Sequence, residues 1–169
     1  LAKRRAEGQG PALAAQGRVD EGIRHLEQAR DLAPHIHETW GLLAQAYQDQ
    51  GRIRDAVAMY RRAVEVMPDN PFLLNSFAWV LATSVDDGVR DGPEAVRLAE
   101  RALSAAGGRP ALFLSTLAAA MAEAGRTGEA VRVAREGLAR AAAEGDQSTA
   151  AELRWQLAAY EAGRPVRVR

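Results

Sequence analysis

The side chains best placed by type and spacing to do chemistry are His35, His37 and Glu38, two imidazoles and a carboxylate of the kinds that bind zinc and similar ions. The pattern stops there. A His-x-His spacing arises often by chance and no third and fourth ligand lie nearby in sequence, so neither a metal nor another cofactor is expected. The chain contains no cysteine, which removes disulfides, thiolate ligands and a thiol nucleophile together. Its Asp and Glu residues scatter over helix faces opposite the apolar stripes, and no carboxylate pair is placed for acid–base work. Glycine-rich phosphate loops, a serine with its base and an aromatic-plus-basic RNA platform are missing from the sequence. No enzyme activity is expected; recognition remains. For that, Asn75 and Trp79 stand out. An asparagine inside a helix costs propensity and packing does not ask for one, so Asn75 could read a partner's backbone through its amide. An exposed asparagine without a partner is the plain alternative. Trp79 could anchor a ligand, or it could pack beneath the segment from Ser84 to Gly92 and meet none.

The elements that must position these residues repeat. From His37 to Asn70, Trp40, Leu43, Ala44 and Tyr47 share one face of a first helix that Gly51 ends. Ala56, Tyr60 and Ala63 line a second helix, and Pro68 stops it. The same 34-residue ruler, moved back, lands Pro68 on Pro34 and Gly51 on Gly17. The unit 3–36 is therefore a degenerate copy. Gly8, Gly10 and Pro11 sit in its first helix, which should begin only near Pro11 or be kinked there, with Leu1 to Gly10 loosely held and Leu26 and Ala29 of the second helix partly uncovered. A third unit, 71–108, repeats the pattern with Leu74, Phe77, Ala78 and Leu81, then Ala95, Ala99 and Ala102. Ala78 and Ala95 are 17 residues apart where Ala44 and Ala56 are 12 apart, so five residues have been inserted. They fall in Ser84 to Gly92, whose Asp-Asp-Gly and Asp-Gly-Pro are turn formers, and an ordered elbow is expected with Asp91 or Gly92 capping the next helix. A fourth unit, 111–144, uses Leu114, Leu117, Ala118 and Met121, then Ala130, Ala134 and Gly137, and its second helix runs on to Gly145. Residues 146–163 form an end helix, with Thr149 and Glu152 placed for a capping box, and 164–169 form a basic tail expected to be disordered or to make a weak anion contact.

Composition narrows the partners. Lys plus Arg and Asp plus Glu number 22 each, so no nucleic-acid or anionic-membrane surface is suggested. No apolar run is long enough to span a bilayer, and no apolar block follows Lys3, Arg4 and Arg5 as a secretion signal would need. The start at Leu1 suggests a piece of a longer protein.

The order Trp40, Leu43, Ala44, Tyr47, Gly51, Ala56, Tyr60, Ala63, Pro68 resembles the tetratricopeptide repeat, and the looser copies extend the resemblance over nearly the whole chain as a single domain, 1–169. It implies an all-α solenoid of antiparallel helix pairs, a right-handed superhelix with a C-terminal capping helix, whose first helices line a concave groove for a partner protein or peptide. On that geometry the groove faces are Glu38, Gly41, Gln45, Gln48 and Asp49, then Phe72, Asn75, Trp79, Ala82 and Thr83, then Leu112, Ser115, Ala119 and Glu123. Chaperone-binding members clamp a terminal carboxylate with lysine and arginine. Here those sites are Gly41, Gln45, Asn75, Trp79, Ser115 and Ala119, so no clamp can be assembled. The stretch from Leu74 to Ala102 with the closing Ala158 to Arg167 looks like the C-terminal repeat regions of large bacterial multidomain proteins, membrane glycosyltransferase-like ones included. That likeness suits a second role, as a structural stalk or self-associating segment of a larger enzyme, and the partly uncovered Leu26 and Ala29 would let homo-oligomers form through the degenerate N-terminal end. A bacterial cytoplasm or periplasm would suit either role, and this segment itself is not expected to insert in a membrane.

Overall fold

The computed structural model describes residues 18–168. The expected late start of the first helix, the loosely held residues before it and the final Arg169 lie outside the described residues. Eight α-helices follow one another and no strand occurs among the described residues: α1 (Val19–Leu32), α2 (His37–Asp49), α3 (Ile53–Val66), α4 (Pro71–Thr83), α5 (Gly92–Ala105), α6 (Ala111–Glu123), α7 (Thr127–Glu144) and α8 (Gln147–Glu161). No helix among the described residues is long and apolar enough to cross a membrane. The contacts divide the chain into two compact units, one ending at Leu73 and the next starting at Leu74.

In the first unit α2 packs on α1 and on α3. Trp40 is the hub. Its ring joins Ala63 and Leu73 in a buried cluster with Met59 and Met67 packed against it, and the Arg30 guanidinium lies 5.6 Å from the ring centroid. The indole Nε1 donates to the Pro34 carbonyl at 2.8 Å, so the polar end of a large apolar side chain is satisfied where it is buried. Tyr47 is placed similarly: its hydroxyl donates to Glu27 at 3.0 Å, and burial, then this acceptor, pushes its pKa upward. Leu26 and Ala29 correct the expectation of partly uncovered positions, for both are buried. The motive for self-association through that end goes with them.

In the second unit α6 is the core. Every residue from Phe113 to Ala122 is buried, because α5, α7 and α8 all pack on it. The small residues at the repeat positions let the axes close: Ala44, Ala56 and Ala63 in the first unit, and Ala78, Ala95, Ala102, Ala118 and Ala130 in the second, are fully buried. A Cβ on Gly137 would stand 3.1 Å from both Leu114 and Leu153. Asp91 caps α5 by accepting the Glu94 amide at 2.9 Å, with Pro93 in the first turn. Gly145 ends α7 at φ 72°, a left-handed conformation that glycine adopts without strain.

At the start of α8 the capping box placed on Thr149 is replaced by a cap from Asp146. Its carboxylate accepts the Thr149 amide at 3.0 Å and the Thr149 hydroxyl at 2.6 Å. Glu152 turns instead toward Ser115 and Gln156. The Thr149 hydroxyl and amide hold the Asp146 carboxyl below the usual carboxylate range. A carboxyl whose folded pKa is depressed stabilises the folded state fully above its unfolded value, about 4, and loses that contribution as pH falls through the folded value. Asp146→Ala is therefore expected to lower the urea midpoint at pH 7, with the difference from the parent chain shrinking below about pH 4. A gap that is constant with pH would count against the cap.

Candidate functional site

The site is built where the C-terminal ends of α4 and α6 meet the elbow and the end of the chain, all within the second unit. A helix leaves its last carbonyls without intrahelical donors. At the end of α4 the Thr83 carbonyl finds one from outside, the Val168 amide at 3.0 Å, and Ser84 and Val168 pair as an isolated parallel bridge. The Ser84 carbonyl takes a donor from Arg90 at 2.9 Å.

The elbow is ordered by its own polar groups, as its turn residues imply. The Ser84 hydroxyl accepts the Asp86 amide at 3.1 Å, the Asp86 carboxylate accepts the Gly88 amide at 2.9 Å, and the Asp91 amide donates back to Leu81 at 3.1 Å. This holds Arg90, whose guanidinium also reaches Asp87 at 2.6 Å and Glu123 at 2.9 Å. Glu123, the last residue of α6, is thereby placed where the helix dipole disfavours a negative charge. Two guanidinium groups compensate it: Arg90, and Arg167 at 2.7 Å. Its side chain is only 13% exposed. Val166, between Pro165 and Arg167, is buried at 4%. Of the two states expected for the basic tail, disorder or an anion contact, it takes the second: it is docked through Val168, by one apolar side chain, one ion pair to the Glu123 carboxylate and one backbone hydrogen bond.

The expected groove residues fall into four groups, the last being Asn75 and Trp79. Gln45 and Gln48 of the first unit bond locally, and Glu38 is exposed beside His37. Glu38 lies 3.3 Å from His37 Nδ1, Gln45 donates to Asp49 at 2.7 Å, and Gln48 donates weakly to the Ala44 carbonyl at 3.4 Å. Phe72 and Leu112 are exposed, Phe72 stacking on His37 with ring centroids 5.5 Å apart. The Thr83 and Ser115 side chains are not open to a ligand. Thr83 lies beneath the tail contact and its hydroxyl bonds to the Trp79 carbonyl at 2.8 Å. Ser115 is 1% exposed and accepts from Gln156 of α8 at 2.7 Å, because the end helix lies over that stretch of α6. Gln156 and Tyr160 extend this buried network, and burial raises the Tyr160 pKa.

Asn75 and Trp79 share one side of α4, four residues apart. Trp79 is half-buried. Asn75 is 8% exposed, and its Oδ1 is a buried acceptor with no hydrogen-bond partner. Sequence reasoning missed Arg90 and the tail. The signal was the alternation Val166, Arg167, Val168, a period-two pattern of the kind extended segments carry.

A separate cleft of about 660 Å³ opens between α5, α6 and α7 in the same unit, floored by Leu103, Leu117, Met121 and Val133. At its edge Arg109 and Glu136 bind each other through two bonds at 2.5 and 3.0 Å, which holds the Glu136 carboxyl below the usual range. No group of three His, Cys, Asp or Glu placed to hold a metal occurs among the described residues.

The arrangement defines a class: an all-α helical repeat. A family model described as tetratricopeptide repeat matches residues 13–73, and the fold is that of tetratricopeptide-repeat proteins. Among solved structures, the chain is similar to PilW, a widely conserved type IV pilus biogenesis factor, with a TM-score of 0.69 and 15% identity over 96% of this chain and 79% of that one. It is also similar to MamA from Desulfovibrio magneticus RS-1, with a TM-score of 0.66 and 14% identity over 95% of this chain and 96% of that one. A third is TTC0263, a thermophilic tetratricopeptide protein of Thermus thermophilus, with a TM-score of 0.64 and 20% identity over 90% and 81% of the two chains. No curated protein matches the chain. Tetratricopeptide folds are protein–protein interaction scaffolds and are generally non-catalytic.

Proposed function

We propose that the chain is a non-catalytic interaction module and that the Asn75 and Trp79 side of α4 receives an extended segment of a partner protein. The observation that carries this is the orphan Asn75 Oδ1. Leaving a buried acceptor unpaired costs about 1–3 kcal/mol, and a rotation of the Asn75 side chain that brings Oδ1 out to a backbone N–H of an incoming segment would recover that. Half-buried Trp79, one turn away, offers the aromatic surface on which binding energy concentrates. Leu112 is accessible in the same unit, and Glu38, Gln45, Gln48 and Phe72 are accessible in the first.

A peptide array or pull-down that yields a ligand tests this with two variants. Asn75→Ala and Trp79→Ala are each expected to weaken that ligand about tenfold or more, since 1.4 kcal/mol corresponds to a factor of ten. Unchanged affinity in both, for chains whose helical circular dichroism is intact, removes α4 from the binding face.

A further inference from the structure

We propose that the strip made by Thr83, Ser84, Arg90 and Glu123 is a docking site for an extended segment in which an apolar residue is followed by arginine, and that residues 165–168 are its resident, displaceable occupant. The inference deepens the interaction-module reading above, on which it rests, by naming the chemistry of the segment.

Each recognition element is visible in the docked tail. The backbone of the segment is read by the Thr83 carbonyl, which accepts the Val168 amide at 3.0 Å in a parallel pairing of Ser84 with Val168. Such main-chain pairing gives affinity to any extended chain that can donate there. The arginine is read by Glu123, whose Oε2 meets the Arg167 guanidinium at 2.7 Å while Arg90 holds Oε1 at 2.9 Å. Arg90 fixes the carboxylate in place before any segment arrives, through its further bonds to Ser84 and Asp87. A lysine would supply a point charge without the planar fork, so arginine is preferred. The apolar requirement is set by the seat that buries Val166. An acidic residue in the arginine position would face Glu123 and be rejected.

The contact is small: one buried valine, one ion pair and one backbone bond. What keeps it closed is tethering. Gly163 ends α8 at φ 71°, and the segment begins two residues later. A tether that short gives an effective concentration on the order of millimolar. A free segment of the same chemistry, offered at micromolar concentration, is then excluded until the tail is released or until it binds much more tightly than the tail does.

Fluorescence anisotropy with a labelled synthetic peptide of residues 162–169 tests this. Three proteins are titrated: the full chain, the full chain carrying Val166→Ser with Arg167→Ser, and the chain ended at Gly163. The probe is expected to bind both released forms at least about tenfold more tightly than the full chain. Adding Glu123→Gln to either released form should reverse that gain, and a probe with Arg167→Glu should not bind. Hydrogen exchange supplies a readout that needs no probe, since the Val168 amide of the full chain should be protected and should lose protection in the Val166→Ser, Arg167→Ser chain. Released forms with unchanged circular dichroism that bind the probe no better than the full chain overturn the inference, as does an unprotected Val168 amide. If that happens while an array ligand still depends on Asn75 and Trp79, only the docking strip fails. If the probe binds as expected and no ligand depends on those two residues, the strip stands and the α4 reading falls.

Discussion

Gly92→Ala is expected to lower the unfolding free energy of the second unit by about 2–3 kcal/mol. Gly92 opens α5, and an added Cβ would stand 2.6 Å from the Ala124 nitrogen, 2.7 Å from its Cα and 2.8 Å from the Glu123 carbonyl carbon. All three atoms are backbone, so no side chain can rotate away and either α5 or the end of α6 must move. Alanine's better helix propensity returns up to about 1 kcal/mol, which is smaller than the strain. The displacement also reaches function, because the atom crowded most closely after Ala124 belongs to Glu123, whose carboxylate anchors Arg90 and Arg167. Urea unfolding followed by circular dichroism reads the first effect. Gly108→Ala is the control, since a Cβ there meets nothing within 4 Å. Equal midpoints for the two variants would show that the close approach does not exist in solution.

The periodic positions were legible because they have one physical solution. A methyl-sized residue recurring every 12 residues between paired helices is needed only where the axes nearly touch, and Ala44 with Ala56, or Ala118 with Ala130, end fully buried. The elbow was legible for a similar reason: Asp86, Gly88 and Asp91 each form the local bond their type favours. What periodicity could not fix was which second face of α6 would be covered. Ser115 and Ala119 are small and tolerate water or burial equally, so the core stripe of Leu114, Leu117 and Met121 says nothing about them. The end helix decides it, by placing Gln156 on Ser115. The tail misled for a different reason. Arg164, Arg167 and Arg169 read as solvated charge, yet Arg167 meets a carboxylate that Arg90 has already oriented, a partner 44 residues earlier in the chain than itself. Thr149 was assigned the cap that Asp146 makes because both types cap helices and only the position of the first turn separates them.

Trp40→Ala is expected to cost the first unit about 3–5 kcal/mol, the range for removing a large buried aromatic. The ring is the common contact of Ala63 on α3 and Leu73 at the start of α4, with Met59 and Met67 against it, so its loss opens a cavity lined by three helices. Relaxation can recover only part of that, since Met59 and Met67 are flexible but Ala63 is on a rigid helix. Trp40→Phe separates the two components of the effect. It keeps most of the apolar volume and removes the indole donor to Pro34, leaving a carbonyl short of a partner at a cost of about 1 kcal/mol. Chemical unfolding of the three chains should therefore rank parent, Trp40→Phe, Trp40→Ala, with the larger step second. An Ala variant as stable as the Phe variant would mean that Trp40 contributes through its hydrogen bond alone. Gln45→Ala, on an exposed position of the same helix, should change stability by no more than about 0.5 kcal/mol. A weakened partner in Gln45→Ala would then report on contact with the ligand, whereas a weakened partner in Trp40→Ala would report on the loss of the scaffold that presents it.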